Sequence, residues 1–175
     1  MASLALIAVM SLPASAQQTQ QTRPPASPTF GASGGLGAGI AIPVGRLSES
    51  NTPGYVFSGL VDFSAADQPY SFRTELIYQH YDRKRSVTGS TTKNVLSLGA
   101  SLLARSPAGA SSGYVIGGIA VYRPTDEGTK PGVNAGLGLE VPLTFFVGMA
   151  DVRVHWVLTE GRPIVTIPIT LGARF

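Results

Sequence analysis

The sequence predicts an all-β fold, an eight-stranded antiparallel barrel in up-and-down order, and three observations favour it. Apolar and polar residues alternate in eight segments of strand length, and this period of two is typical of strands with two different faces. The number of segments is even and turn-forming residues separate them, as in up-and-down barrels. The apolar face of each segment lacks charged residues, whereas the opposite faces hold many of them.

The first four predicted strands cover residues 34–44, 55–64, 70–81 and 93–105. In the first of them Gly35, Gly37 and Gly39 leave one face nearly free of side chains. In all four, aliphatic or aromatic residues form the other face. These residues are, strand by strand, Leu36, Ala38, Ile40, Ile42 and Val44; Tyr55, Phe57, Val61 and Phe63; Tyr70, Phe72, Leu76 and Tyr78; and Leu96, Leu98, Ala100 and Leu102.

The last four predicted strands cover residues 113–123, 132–142, 146–157 and 164–175. The final strand alternates without interruption until it ends on an aromatic residue, Phe175. The apolar faces of these strands consist of Tyr114, Ile116, Ala120 and Tyr122; Val133, Ala135, Leu137, Leu139 and Val141; Phe146, Val152, Val154 and Trp156; and Val165, Ile167, Ile169, Leu171, Ala173 and Phe175.

Alternation leaves open whether the apolar faces point outward to lipid or inward to a ligand cavity, as in a lipocalin-like carrier. A charge on a lipid-facing position costs about 2–4 kcal/mol at mid-depth, which explains apolar faces without charges. Glycine is concentrated on the charged faces, where a narrow lumen has room for few large side chains. These glycines are Gly35, Gly37, Gly39, Gly99, Gly113, Gly117, Gly136, Gly138 and Gly172. We therefore expect a transmembrane barrel with a charged lumen lined by small residues.

Aromatic residues recur near the ends of the apolar faces, where the rings of a membrane barrel form girdles at the headgroup level. The predicted girdle consists of Tyr55, Phe63, Tyr70, Tyr78, Tyr114, Tyr122 and Trp156.

Charged residues on the opposite faces form the predicted lumen network. Charges inside a narrow barrel must be paired, so we expect a polar plug, with a narrow ion path as the alternative. Alternation places Arg123 on this side as well. The predicted network consists of Asp62, Arg73, Glu75, Arg105, Glu140, Asp151, Arg153, His155 and Arg174.

The N-terminal residues favour export. Residues 1–16 combine an apolar run with a small-residue cleavage site, which predicts a signal peptide cut after Ala16. Residues 17–30 are rich in Gln, Thr and Pro, so we expect a disordered periplasmic leader. The barrel domain is predicted to cover residues 31–175.

The alternating final strand with its terminal aromatic residue resembles the closing strand of bacterial outer-membrane β-barrels. The whole pattern resembles the small OmpA/OmpX type, without the peptidoglycan-binding domain of OmpA. The resemblance implies a Gram-negative outer-membrane location and contact with membrane lipid and lipopolysaccharide. It also implies assembly by periplasmic chaperones and the barrel-insertion machinery, with Ile169, Leu171 and Phe175 as the insertion signal.

Other functional classes find little support in the sequence. The chain has no cysteine, its net charge is only +3 and the charge follows no stripe, so we expect no nucleic-acid partner. No metal spacing or nucleotide fingerprint suggests a cofactor. Some related barrels are lipid A deacylases with a His-x-Ser pair, which neither histidine matches. A set of His80, Asp82 and Ser86 is conceivable, but nothing in the spacing requires it, so we do not expect an enzyme.

The expected role is therefore structural, or an interaction at the cell surface, with a porin-like narrow pore and a soluble carrier as alternatives. One predicted extracellular loop is basic, with Arg83, Lys84 and Arg85 in sequence. It either meets lipopolysaccharide phosphates or is an ordinary solvated loop.

Overall fold

The computed structural model of the protein describes residues 30–65, 68–85, 92–106, 111–125 and 127–175. The predicted signal peptide and most of the leader lie outside these residues. Eight strands form a closed antiparallel barrel in which each strand pairs with the next and the last pairs with the first, as predicted. They are β1 (Phe30–Val44), β2 (Gly54–Ala65), β3 (Tyr70–Tyr81), β4 (Lys93–Arg105), β5 (Ser112–Pro124), β6 (Lys130–Pro142), β7 (Val147–Val157) and β8 (Ile164–Arg174).

A short helix, α1 (Arg46–Ser50), lies in the connection between β1 and β2. No helix in the described part of the chain is both long and apolar enough to cross a membrane. Strand β1 begins at Phe30, inside the segment that the sequence assigned to the leader.

The barrel has two distinct ends. The turn end carries the β2–β3, β4–β5 and β6–β7 connections, the start of β1 and the end of β8. The loop end carries α1 and the β3–β4, β5–β6 and β7–β8 connections. At the turn end the Phe175 amide donates a hydrogen bond to the Gly34 carbonyl (2.8 Å), which closes the seam between the first and last strands.

The glycine-rich first strand allows close approach across that seam. A Cβ atom at Gly39 would lie 1.9 Å from the carbonyl oxygen of Ile169 on β8, a distance that no side chain could accept. Glycine at this position therefore avoids a clash between β1 and the backbone of β8.

The apolar faces point outward on seven of the eight strands, as the alternation predicts. Leu98, at the middle of β4, has 57% of its surface exposed, and Leu36 and Leu171 are likewise exposed on β1 and β8. The charged faces of the same strands point inward, where Asp62 and Arg73 have no exposed surface. An apolar exterior around a buried charged interior is the reverse of a water-soluble protein.

Strand β5 is the exception, and its predicted faces were wrong. Tyr122 is fully buried inside the barrel and Tyr114 nearly so, whereas Ile119 on the other face has 69% of its surface exposed. The assignment failed because both faces of β5 are apolar, so alternation could not identify the lipid side. The correction moves Tyr114 and Tyr122 out of the predicted girdle. It also places other residues on the outer wall, namely Gly113, Gly117 and Arg123.

Glycines on β6 make room for the two inward tyrosines. A Cβ atom at Gly138 would lie 2.3 Å from Cζ of Tyr114, and one at Gly132 would lie 2.7 Å from Cε2 of Tyr122. The rings thus occupy space that side chains on β6 would otherwise fill. Large residues on one strand facing glycines on the next are how a narrow lumen is packed without voids.

An apolar cluster fills the loop-end half of the lumen. Leu47 of α1 is buried, so the helix covers the mouth of the barrel with an aliphatic side chain. The cluster beneath it combines residues from seven strands and consists of Ala41, Leu47, Val56, Ile77, Tyr81, Val95, Tyr122, Val157 and Ile164.

Candidate functional site

The turn-end half of the lumen holds an ion-pair network centred on Asp62. Arg73 lies directly across from Asp62 in the β2–β3 register and donates two hydrogen bonds to its carboxylate, from Nε (2.6 Å) and Nη2 (2.9 Å). Arg105 Nη2 (3.2 Å) and Arg174 Nη1 (3.3 Å) donate to the same carboxylate from β4 and β8. One buried acid therefore joins arginines from three strands.

Glu140 on β6 is the second acid of this layer. It accepts hydrogen bonds from Arg105 Nε (3.0 Å) and Nη2 (3.1 Å), and from Arg174 Nη2 (3.1 Å). Arg73 Nη2 lies 3.9 Å from Glu140 Oε1. Arg105 and Arg174 consequently each bridge two carboxylates and tie β2 to β6 across the barrel.

A second layer, deeper in the lumen, is organised by Arg153 on β7. Arg153 donates to both oxygens of Asp151, from Nε (3.1 Å) and Nη2 (2.9 Å), and reaches across the lumen to the carboxylate of Glu75 on β3. Asp151 also accepts hydrogen bonds from the hydroxyls of Tyr114 and Thr170, each 3.0 Å away. Arg73 Nη1 lies 4.0 Å from Asp151 and connects the two layers.

The network is balanced in charge. The structure brings together eight of the nine predicted residues, four arginines and four acids. Charges taken out of water are tolerable only when each has a partner and its hydrogen-bonding groups are satisfied. Equal numbers of opposite charges give each charge of the cluster a partner, and all of its arginine nitrogens that are buried, except Arg73 Nη1 and Arg174 Nε, have a hydrogen-bond partner among the described residues.

His155, the ninth predicted residue, is buried on the loop-end side of the network. It contacts a tyrosine instead of an acid. Its Nδ1 atom lies 3.0 Å from the hydroxyl of Tyr122. The two rings meet edge to face, with centroids 5.7 Å apart. His155 thus belongs to the boundary between the charged layers and the apolar cluster.

Sequence reasoning missed several residues of the lumen. Tyr114 was not expected there because the inward and outward faces of β5 were predicted the wrong way round. It contributes both a hydrogen bond to Asp151 and a ring 5.6 Å from the Arg73 guanidinium. Tyr81 donates a hydrogen bond to Gln79, and both are fully buried. Alternation places Gln79 on the charged face of β3 with Arg73 and Glu75, and the same interval of two could have identified Tyr81.

The lumen beside the network is almost completely filled. The cavity between Glu75, Arg153, His155 and Thr170 has a volume of about 10 Å³. That volume is roughly what one water molecule requires. Side chains therefore leave room for no more than about one water molecule in this cavity.

The outer wall carries the remaining predicted residues. Phe63 and Tyr70 lie near the turn end, and Tyr55, Tyr78 and Trp156 lie towards the loop end. The residues of the predicted insertion signal, Ile169, Leu171 and Phe175, are exposed along β8 and just after it.

The set of His80, Asp82 and Ser86 is only partly described. His80 Nε2 lies 3.4 Å from Asp82 Oδ1, and its Nδ1 lies 2.7 Å from the side-chain oxygen of Asn94. Ser86 lies outside the described residues. In the basic loop, Lys84 is bound to α1, because its ammonium donates to the Ser48 carbonyl and its amide to that of Ser50 (2.9 Å).

Solved structures with the same architecture are outer-membrane barrels. Neisserial surface protein A (NspA) superimposes with a TM-score of 0.64 at 14% identity, over 83% of this chain and 97% of that one. The Yersinia pestis outer membrane protein Ail, in a phospholipid bilayer nanodisc, gives a TM-score of 0.51 at 14% identity, over 83% and 100%. No protein-family model and no curated protein match the sequence. The chain therefore has the closed eight-stranded barrel fold of small bacterial outer-membrane proteins.

Proposed function

We propose that the protein is an outer-membrane barrel with a plugged lumen, and that it has a structural or cell-surface interaction role. The observation that carries the proposal is the balanced network of four arginines and four acids inside a largely apolar exterior. A lipocalin-like carrier would need the opposite arrangement, with apolar side chains around a ligand cavity.

The proposed orientation puts the turn end in the periplasm and the loop end outside the cell. Once the signal peptide is cleaved after Ala16, the leader precedes β1 on the periplasmic side in this orientation. The exposed Ile169, Leu171 and Phe175 are available to the insertion machinery along the last strand. Periplasmic chaperones would protect the apolar wall before insertion.

A non-conducting barrel is part of this proposal. Asp62 and Arg73 have no exposed surface, and the ion pairs around them cross the lumen between β2, β4, β6 and β8. A hydrated ion could pass only if these pairs separated and left charges without partners, at a cost of several kcal/mol. The apolar cluster beneath Leu47 adds a second barrier nearer the loop end.

Single-channel recording of the refolded mature chain in planar bilayers tests the proposal. Heat-modifiable gel migration first establishes that the barrel is folded. We expect folded protein without steady conductance. Reproducible small conductance steps would support the narrow pore instead, and a species that folds in plain buffer and does not enter bilayers would overturn the membrane assignment.

A further inference from the structure

The outer wall has a groove in its loop-end half, where β3 to β6 lie side by side. Its volume is about 660 Å³ and its lining is almost entirely apolar. Ala100 and Thr74 form a low floor between longer aliphatic side chains. The lining includes Leu98, Ala100, Ile119, Val121, Pro131 and Val133.

A cationic side chain, that of Arg123, lies next to this groove on its loop-end side. Arg123 is on the outward face of β5, two residues beyond Val121 and therefore about 6.8 Å further towards the loop end. It is exposed, and it forms no ion pair with any residue in the described part of the chain. Its alkyl stem can follow the wall while the guanidinium remains at headgroup depth.

The same sector of the wall lacks aromatic residues. Apart from Arg123, the outward positions of β4, β5 and β6 hold aliphatic or small residues along their described length, because Tyr114 and Tyr122 point inward. Elsewhere aromatic rings such as Tyr55 and Trp156 mark the headgroup level. Within the described part of β4 to β6, Arg123 is the residue at that level, between Tyr78 on β3 and Trp156 on β7. Its planar donor group is suited to phosphate.

We propose that the groove and Arg123 form a binding site for the lipid A part of lipopolysaccharide. One acyl chain lies in the groove, and a lipid A phosphate accepts hydrogen bonds from the guanidinium. The assignment to lipopolysaccharide rests on the proposed function, since only the loop-outward orientation puts the groove in the outer leaflet. An apolar groove beside a cation that has no ion pair within the described residues is complementary to an amphiphile with an anionic head.

Native mass spectrometry of the barrel extracted in mild detergent tests the proposal. The full chain is expressed in a Gram-negative host with short-chain lipopolysaccharide, so that an adduct is resolved by mass. We expect one lipopolysaccharide per barrel on the wild type. Arg123→Gln and Ala100→Phe should lose it, the first by removing the phosphate donor and the second by filling the groove.

Two variants provide matched controls. Arg162→Gln removes an exposed loop-end arginine that does not line the groove, and Ala135→Phe adds a ring to the outer wall outside the groove. Both should retain the adduct. Val133→Phe fills the same groove from β6 and replaces Ala100→Phe if that variant does not assemble.

Titration of the refolded, delipidated barrel with diphosphoryl lipid A measures the binding affinity of each variant. Loss of one arginine–phosphate contact should weaken binding about tenfold for Arg123→Gln, with no change for Arg162→Gln. Equal affinity of wild type and Arg123→Gln would overturn the proposal. So would a phospholipid adduct on the extracted barrel, or a second copy of the chain in place of lipid.

Gel migration separates failure of this site from failure of the proposed function. A barrel that shows heat-modifiable migration and enters bilayers but carries no lipopolysaccharide contradicts the lipid site alone. A chain that does not enter bilayers contradicts the membrane assignment itself.

Discussion

Replacement of Asp62 by asparagine tests the lumen network most directly. The substitution keeps the shape of the side chain and removes the charge that pairs with Arg73, Arg105 and Arg174. Arg105 and Arg174 keep Glu140 as a partner, at 3.0 and 3.1 Å. Arg73 keeps only distant acids, at 3.9 and 4.0 Å, and has no exposed surface.

Removal of one partner from a buried ion pair typically costs 3–5 kcal/mol. Because two of the three arginines retain a close carboxylate, we expect the lower end of that range, about 3 kcal/mol of unfolding free energy. Urea unfolding in phospholipid bilayers, followed by heat-modifiable migration, measures this difference. The double variant Asp62→Asn with Arg73→Met should recover much of the loss, since no buried arginine is then left without its partner.

Glu127→Gln provides the comparison. Glu127 pairs with Arg46 and Lys93 at the loop end, where the charges are partly exposed and exposed pairs contribute about 0–1 kcal/mol. A cost below about 1 kcal/mol for Asp62→Asn, equal to that of Glu127→Gln, would refute the conclusion that buried pairing holds the lumen together.

Three further predictions test the faces and the plug. Leu98→Arg puts a charge on the outer wall of β4 at a cost of about 2–4 kcal/mol, so this variant should not assemble in the membrane. Ser101→Thr in the lumen should be tolerated. The folded fraction of each variant in bilayers measures both outcomes. Gly138→Ala should destabilise the barrel because its Cβ meets the Tyr114 ring, and Tyr114→Leu in the same chain should restore part of the urea midpoint. Leu47→Ala should cost about 2–3 kcal/mol in the same unfolding assay, without loss of insertion.

Alternation was sufficient for the fold wherever the two faces of a strand differ in chemistry. On β3 and β7 charged residues alternate with apolar ones, so the inward face followed from the sequence, and with it Arg73 and Arg153. On β5, one face of the strand carries valine and isoleucine, and the opposite face carries tyrosine and isoleucine. Hydrophobicity does not separate these faces, and only the glycines opposite them on β6 decide which side points inward.

Other features depend on contacts that a sequence pattern does not contain. Helix α1 has only five residues, too few for a period of 3.6 to appear, so its role in covering the lumen through Leu47 was not predicted. His155 has the alternation of a lumen residue, but its neighbour is set by the inward turn of Tyr122. An error on one strand therefore carried over to the surroundings of a residue on another.

Strand β8 determines whether the charges of the lumen network balance. Arg174, at the end of β8, reaches Asp62 on β2 and Glu140 on β6. Without β8, the ion-pair network of the lumen would hold four acids but only three arginines, an excess of one negative charge. The closing strand thus completes the ring of hydrogen bonds and neutralises the interior in the same step. A sheet still open at this seam would bring an uncompensated charge into the bilayer, which disfavours partly assembled barrels.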